Sequence, residues 1–269
     1  MISTPHLTCR GFTLMELVLV LVALGLLMGG ALIGADLMRA STIQSTLGEL
    51  EKYNSAATLF RAKYAGLPGD LQAKKAIEAG FAIAGDDNST GAIGLRDDNT
   101  LIQDGAGHAT SLSGEVALFW KDLGAAALVR GDYSAIGSAV GPALAVSDAN
   151  IHYYIPRTRL RDTASYLVYA PRERNYFLLA SITAAITTGR ITATPAVTPL
   201  EARDIDGKID DGHPTSGLVR SYTDLTTMNS RTVDSATHCI GGSATHKSYN
   251  LSSSGGTNVN CMLQIKAAF

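Results

Sequence analysis

Residues 12–35 read FTLMELVLVLVALGLLMGGALIGA and hold one charged side chain, Glu16. A carboxylate in so apolar a run is costly at membrane depth unless it is paired, so the chemistry on offer is ion pairing. The rival reading puts Glu16 near the membrane surface, where its side chain reaches out to water. No other residue set announces a reaction. The patterns H-E-x-x-H, C-x-x-C, S-x-x-K and G-x-S-x-G and the Walker loop are missing from the sequence. The six histidines, among them His108, His152, His213, His238 and His246, show no metal-ligand spacing. A triad gathered from distant residues stays open, since triads follow no fixed order, but nothing in the chain motivates one. Enzymatic activity is therefore not expected.

Two acidic stretches bear on metals. Asp86, Asp87 and Asn88 sit in a polar, Gly- and Asp-rich segment, residues 85–110, which reads as a long surface loop. Asp204, Asp206, Asp210 and Asp211 lie close together further on. Carboxylates of this kind suit calcium, but neither stretch has the EF-hand spacing. Thr198-Pro199-Leu200-Glu201 has the form of a capping box with proline at the first helical position. The spacing predicts a helix through EARDIDGKIDD, ending at Gly212, with Ile205 and Ile209 buried and the acids on a solvated face. Calcium at Asp204, Asp206, Asp210 and Asp211 stays as the competing reading; no other metal or cofactor is expected.

The apolar run must position Glu16. As a helix it measures ~36 Å, against ~30 Å for a bilayer core. A signal peptide would be cut near Ile33-Gly34-Ala35, and a plain anchor would stay uncut. Neither explains Glu16. Gly25, Gly29, Gly30 and Gly34 form two G-x-x-x-G spacings, which suit close helix packing or, at Gly29-Gly30, local melting.

Arg10-Gly11-Phe12-Thr13-Leu14-Met15-Glu16 resembles the class III leader of type IV pilins and type II secretion pseudopilins. The resemblance implies cleavage by prepilin peptidase between Gly11 and Phe12, and N-methylation of Phe12. It also implies that Glu16 meets the N-terminal ammonium of a neighbouring subunit during assembly. Removal of residues 1–11 would take Cys9 away and leave Cys239 and Cys261, the number one disulfide needs. The resemblance pairs these two around a C-terminal loop; two free thiols are the alternative. Loss of Arg10 would leave 21 basic against 24 acidic side chains, a formal net of −3.

Beyond Asp36 the periodicity continues. Ile43, Leu47, Leu50, Tyr53, Ala57, Phe60 and Tyr64 mark one helical face until Leu67-Pro68-Gly69-Asp70 stops it. The YAGLPGD segment, residues 115–133 and residues 198–217 resemble one LPGD-containing branch of pilin-like proteins. Residues 115–123 predict a short amphipathic helix with Trp120 as a core anchor. Strands are predicted at residues 151–155, 165–170, 175–181 and 262–266, with a hairpin turn at residues 171–174.

The expected fold is α+β and pilin-like: a long N-terminal helix, first an anchor and then amphipathic, packed on a small antiparallel sheet. The expected division is a leader (1–11), a transmembrane assembly helix (12–35), an amphipathic half-helix (36–66) and a periplasmic head (67–269). At −2 net charge and 17% charged residues, the composition speaks against a nucleic-acid partner. The expected role is a structural subunit in the inner membrane and then in a filament, with pilin subunits, prepilin peptidase, the assembly platform and the bilayer as partners. A minor tip pilin acting as a binding or priming module is the alternative, and a periplasmic enzyme with a signal peptide the third reading.

Overall fold

The computed structural model describes residues 13–81, 102, 112, 114–133, 146–170, 174–184, 191–222, 238–243, 246–252 and 256–269. The leader, the cleavage pair Gly11 and Phe12, the Asp86-Asp87-Asn88 stretch and turn residues 171–173 lie outside these. The chain forms two compact units, residues 1–42 and 43–269.

A single helix, α1 (Leu14–Tyr64), runs through both. It is continuous through Gly29-Gly30. Within the second unit, α1 buries Ile43, Thr46, Leu50, Tyr53, Ala56, Ala57 and Phe60 and leaves Gln44, Glu51, Ser55 and Thr58 outside. This is the three-to-four-residue stripe of an amphipathic helix. The helix ends when Ala65 turns left-handed (φ 56°) while its amide still bonds the Arg61 carbonyl at 2.9 Å.

The following turn, residues 66–71, is fully buried, which obliges it to satisfy its backbone. Gly69 donates its amide to Asp122 Oδ2 at 2.8 Å. Its φ is +85°, and a Cβ there would stand 2.5 Å from the Glu115 carbonyl oxygen. Glycine is the residue that allows both the left-handed backbone and this approach to the next long helix. A short helix, α2 (Ala73–Glu78), intervenes before that helix, α3 (Gly114–Ala125).

The sheet is antiparallel in every described pairing. Its strands are β1 (Ser165–Tyr169), β2 (Tyr176–Ala184), β3 (Ile191–Thr194), β4 (Val219–Tyr222) and, after the elements below, β7 (Met262–Lys266). The order is β1-β2-β7-β4, with β3 on the second half of β2. Between β3 and β4 lies α4 (Pro199–Ile209); a two-stranded ribbon, β5 (Ile240–Gly242) and β6 (Lys247–Tyr249), precedes β7. Aromatic rings knit helix to sheet: Tyr53 lies 4.8 Å from Trp120 and 5.4 Å from Tyr166, ring centre to ring centre. Such large side chains each contribute roughly 1.5–3 kcal/mol by burial. Hydrogen bonds add to this seam, with Tyr166 donating to Glu49 Oε2 at 3.2 Å and Ala268 N to Asn54 Oδ1 at 2.8 Å.

One expected strand is corrected. Residues 151–155 do not form a strand; Ile151–Tyr153 is a 3₁₀ turn. The cause is local bonding that β propensity does not report. Asn150 Oδ1 accepts from Ser147 N at 2.8 Å, and Tyr153 N and Tyr154 N bond carbonyls three residues back. His152 and Tyr153 are both exposed, so the alternation of a half-buried strand is also broken. The α4 helix begins as the capping box predicts, with Glu201 N on Thr198 Oγ1 at 3.2 Å and Thr198 N on Glu201 Oε2 at 2.9 Å. It ends at Ile209, earlier than the expected stop at Gly212, because Asp210 leaves helical geometry (φ −147°, ψ −132°).

Candidate functional site

Among the described residues, two groups of side chains expected from the sequence can do something beyond packing, one in each unit. In the first unit it is the first turn of α1. The Thr13 carbonyl accepts from the amides of Glu16 and Leu17 at 3.1 and 3.2 Å, and the Thr13 hydroxyl accepts from Glu16 N at 3.3 Å. Thr13 is thus the N-cap, and Glu16 the third helical residue. An acid at that position is favoured by the positive end of the helix dipole. Every residue from Thr13 to Ala31 is exposed. The large apolar side chains from Leu14 to Met28 are 44–83% exposed, and Ile33 is 65% exposed. An apolar surface of this extent calls for lipid or another chain to cover it. Among the described residues, α1 alone is long and apolar enough to cross a membrane. Asp36 and Arg39 follow the run as a loose pair at 4.0 Å.

In the second unit the site is the end of α4. Asp206, Asp210 and Asp211 each bring a carboxylate oxygen within 4.8 Å of the others. Asp204 does not join them; it pairs with Arg203 at 2.9 Å. Three hard oxygen donors at this separation are the kind of set a divalent cation takes. All three carboxylates already accept from protein donors. Asp206 takes the Tyr249 hydroxyl at 2.7 Å and Gly212 N at 3.3 Å. Asp210 takes Leu218 N, and Asp211 takes His213 N and the Ser216 hydroxyl at 2.8 and 2.9 Å. Asp206 is fully buried, and loss of hydration pushes its carboxyl up to about 6, against the opposing hydrogen bonds from Tyr249 and Gly212. Burial likewise drives the Tyr249 hydroxyl well above its ordinary range, so it serves as a neutral donor. By contrast, the His213 amide bond holds exposed Asp211 below the usual carboxylate range.

Cys239 and Cys261 are both buried and form a disulfide, with their Cα atoms 4.8 Å apart. It ties the residue before β5 to the residue before β7. Of the expected site residues, the structure therefore joins the two cysteines and gathers three of the four acids, while Gly11 and Phe12 lie outside the described residues. Sequence reasoning missed Thr13 as a cap, although T-x-x-E directly before an apolar run is the capping-box spacing. It also missed Tyr249 and Ser221, whose hydroxyls meet at 3.2 Å beside Asp206; no spacing signals a contact between β4 and β6. No family model, curated protein or solved structure matches the chain.

Proposed function

We propose that the chain is a structural subunit of the type IV pilin or type II secretion pseudopilin kind, held in the inner membrane by α1 and assembled into a filament through it. One observation supports this above the rest. The first part of α1 is apolar and bare on all sides, yet carries an acid in its first turn. A core helix of a soluble protein would be covered by its own fold. A cleaved secretory signal would have no use for Glu16. In this reading prepilin peptidase cuts between Gly11 and Phe12, Phe12 is N-methylated, and its ammonium becomes the partner for Glu16 of an adjoining subunit. The second unit stands in the periplasm, where an oxidising environment keeps the Cys239–Cys261 disulfide closed. The role needs neither catalysis nor a cofactor.

Mass spectrometry of the membrane-extracted protein tests the reading. A methylated N-terminus at Phe12 is expected; a terminus near Asp36 would overturn it. Glu16→Ala is expected to leave membrane insertion intact and to abolish incorporation into sheared filaments, and normal incorporation would remove Glu16 from the mechanism.

A further inference from the structure

We propose that Arg130-Gly131-Asp132 is an exposed recognition turn for a receptor protein of another cell, one that takes the Asp132 carboxylate on a bound divalent cation and the Arg130 guanidinium on an acidic site. The binding step goes beyond the filament reading and needs only the second unit. The filament reading supplies the route by which the turn leaves the cell that made it.

The turn follows α3 and is held at both ends. Ala127 is left-handed (φ 57°), and the amides of Leu128 and Val129 return to the Leu123 carbonyl at 3.0 and 3.3 Å. Val129 and Tyr133 are buried, while Arg130, Gly131 and Asp132 between them are exposed. The Tyr133 ring folds back under the turn, and its hydroxyl donates to the Arg130 carbonyl at 3.2 Å. Burial pushes that hydroxyl up to about 12, so it remains a neutral donor near pH 7. Gly131 has φ +144°, and a Cβ on it would stand 2.4 Å from both Cζ and Oη of Tyr133. Only glycine lets the ring close so near the backbone. The fixed turn therefore presents one cation and one anion on either side of a residue without a side chain. The Cα atoms of Arg130 and Asp132 stand at most ~7 Å apart, so one partner can meet both side chains. Among the described residues Arg130 is in no ion pair. A guanidinium suits bidentate bonding to an acid, and a carboxylate is a hard oxygen ligand for magnesium or calcium. One carboxylate does not hold such an ion by itself, so the partner must bring the cation. A turn that is already fixed loses little freedom on binding, which favours affinity.

The full chain in detergent micelles, captured on a biosensor, is tested against a purified animal integrin ectodomain, a receptor that reads Arg-Gly-Asp peptides through its bound magnesium. Saturable binding in magnesium buffer is expected, lost in EDTA and competed by the free peptide GRGDS but not by GRGES. Asp132→Glu should abolish it, because the carboxylate moves by one methylene relative to the cation. Arg130→Lys should weaken it roughly tenfold, through loss of the bidentate bond. Tyr133→Phe keeps the ring and loses the bond to the Arg130 carbonyl, and should weaken binding about threefold to tenfold by loosening the turn. Emission from buried Trp120 verifies that each variant is folded. No binding by the wild type, or magnesium-dependent binding that persists in Asp132→Glu, would overturn the inference. Either result leaves the filament reading standing, because the N-terminus and incorporation assays decide it separately.

Discussion

A buried carboxylate must find donors, and Asp206 finds the Tyr249 hydroxyl and the Gly212 amide. Its burial nevertheless favours the protonated form, with the carboxyl at about 6 instead of 3.8. The folded state therefore holds this proton more tightly than the unfolded chain does. Stability from this residue grows as pH falls through about 6 and levels off below the unfolded value; above 6 the charged form carries its full desolvation cost. We expect the unfolding free energy of the wild type, measured against Asp206→Asn in a chelating buffer, to rise by about 2 kcal/mol between pH 7.5 and 4.5. A constant difference across that range would show that Asp206 is not desolvated as described. The asparagine variant keeps an acceptor for Tyr249, so the comparison isolates the charge.

Among the elements, the disulfide-bounded segment is the one whose order depends most on a covalent link. Its strands β5 and β6 are three residues each and pair chiefly with one another. An isolated two-stranded ribbon is marginal in water. The disulfide, the backbone bonds of Cys261 with Ala196 and Val197, and the Asp206–Tyr249 bond attach it to the rest. Cys239→Ser with Cys261→Ser should cost about 3 kcal/mol by loop entropy. Denaturant unfolding followed through Trp120, the only tryptophan and fully buried, reads this directly. A loss well under 1 kcal/mol would mean that side-chain contacts alone hold the ribbon.

At the scale of the whole molecule, the division between Thr42 and Ile43 falls inside α1, beyond the end of the apolar run. The second unit has its own core, with Tyr53, Phe60, Trp120, Tyr166 and Phe177 buried together. A chain beginning at Ile43 should thus fold without detergent, keep the mixed helix and sheet signal of circular dichroism, and show the blue-shifted emission of a buried tryptophan. The full chain should remain with the membrane after alkaline extraction. Aggregation of the shortened chain, or a red-shifted tryptophan, would show that the apolar segment is needed for folding.

Elements with strong local signals were legible from sequence, each for a physical reason. The apolar run and its stripe up to Tyr64 follow from helical periodicity, the α4 start from Thr198 and Glu201, and β1 from its aromatic and β-branched residues. Residues 262–266 were expected and Met262–Lys266 is found. Residues 151–155 misled because local hydrogen bonds from Ser147 and Asn150 outweigh the β propensity of Ile, Tyr and Tyr. The candidate site divides along the same line. Glu16 stands out in one dimension, because a single charge in an apolar run is visible without a fold. The partners of Asp206 do not, because Tyr249 lies 43 residues away and only the placing of β6 against α4 brings its hydroxyl into reach. Residue type and spacing by themselves determined the exposed apolar helix, its acid and the cysteines available for pairing. The tertiary structure alone decided that those cysteines meet, that three of four acids converge and that Gly69 must be glycine, because each is a through-space contact that sequence spacing does not encode.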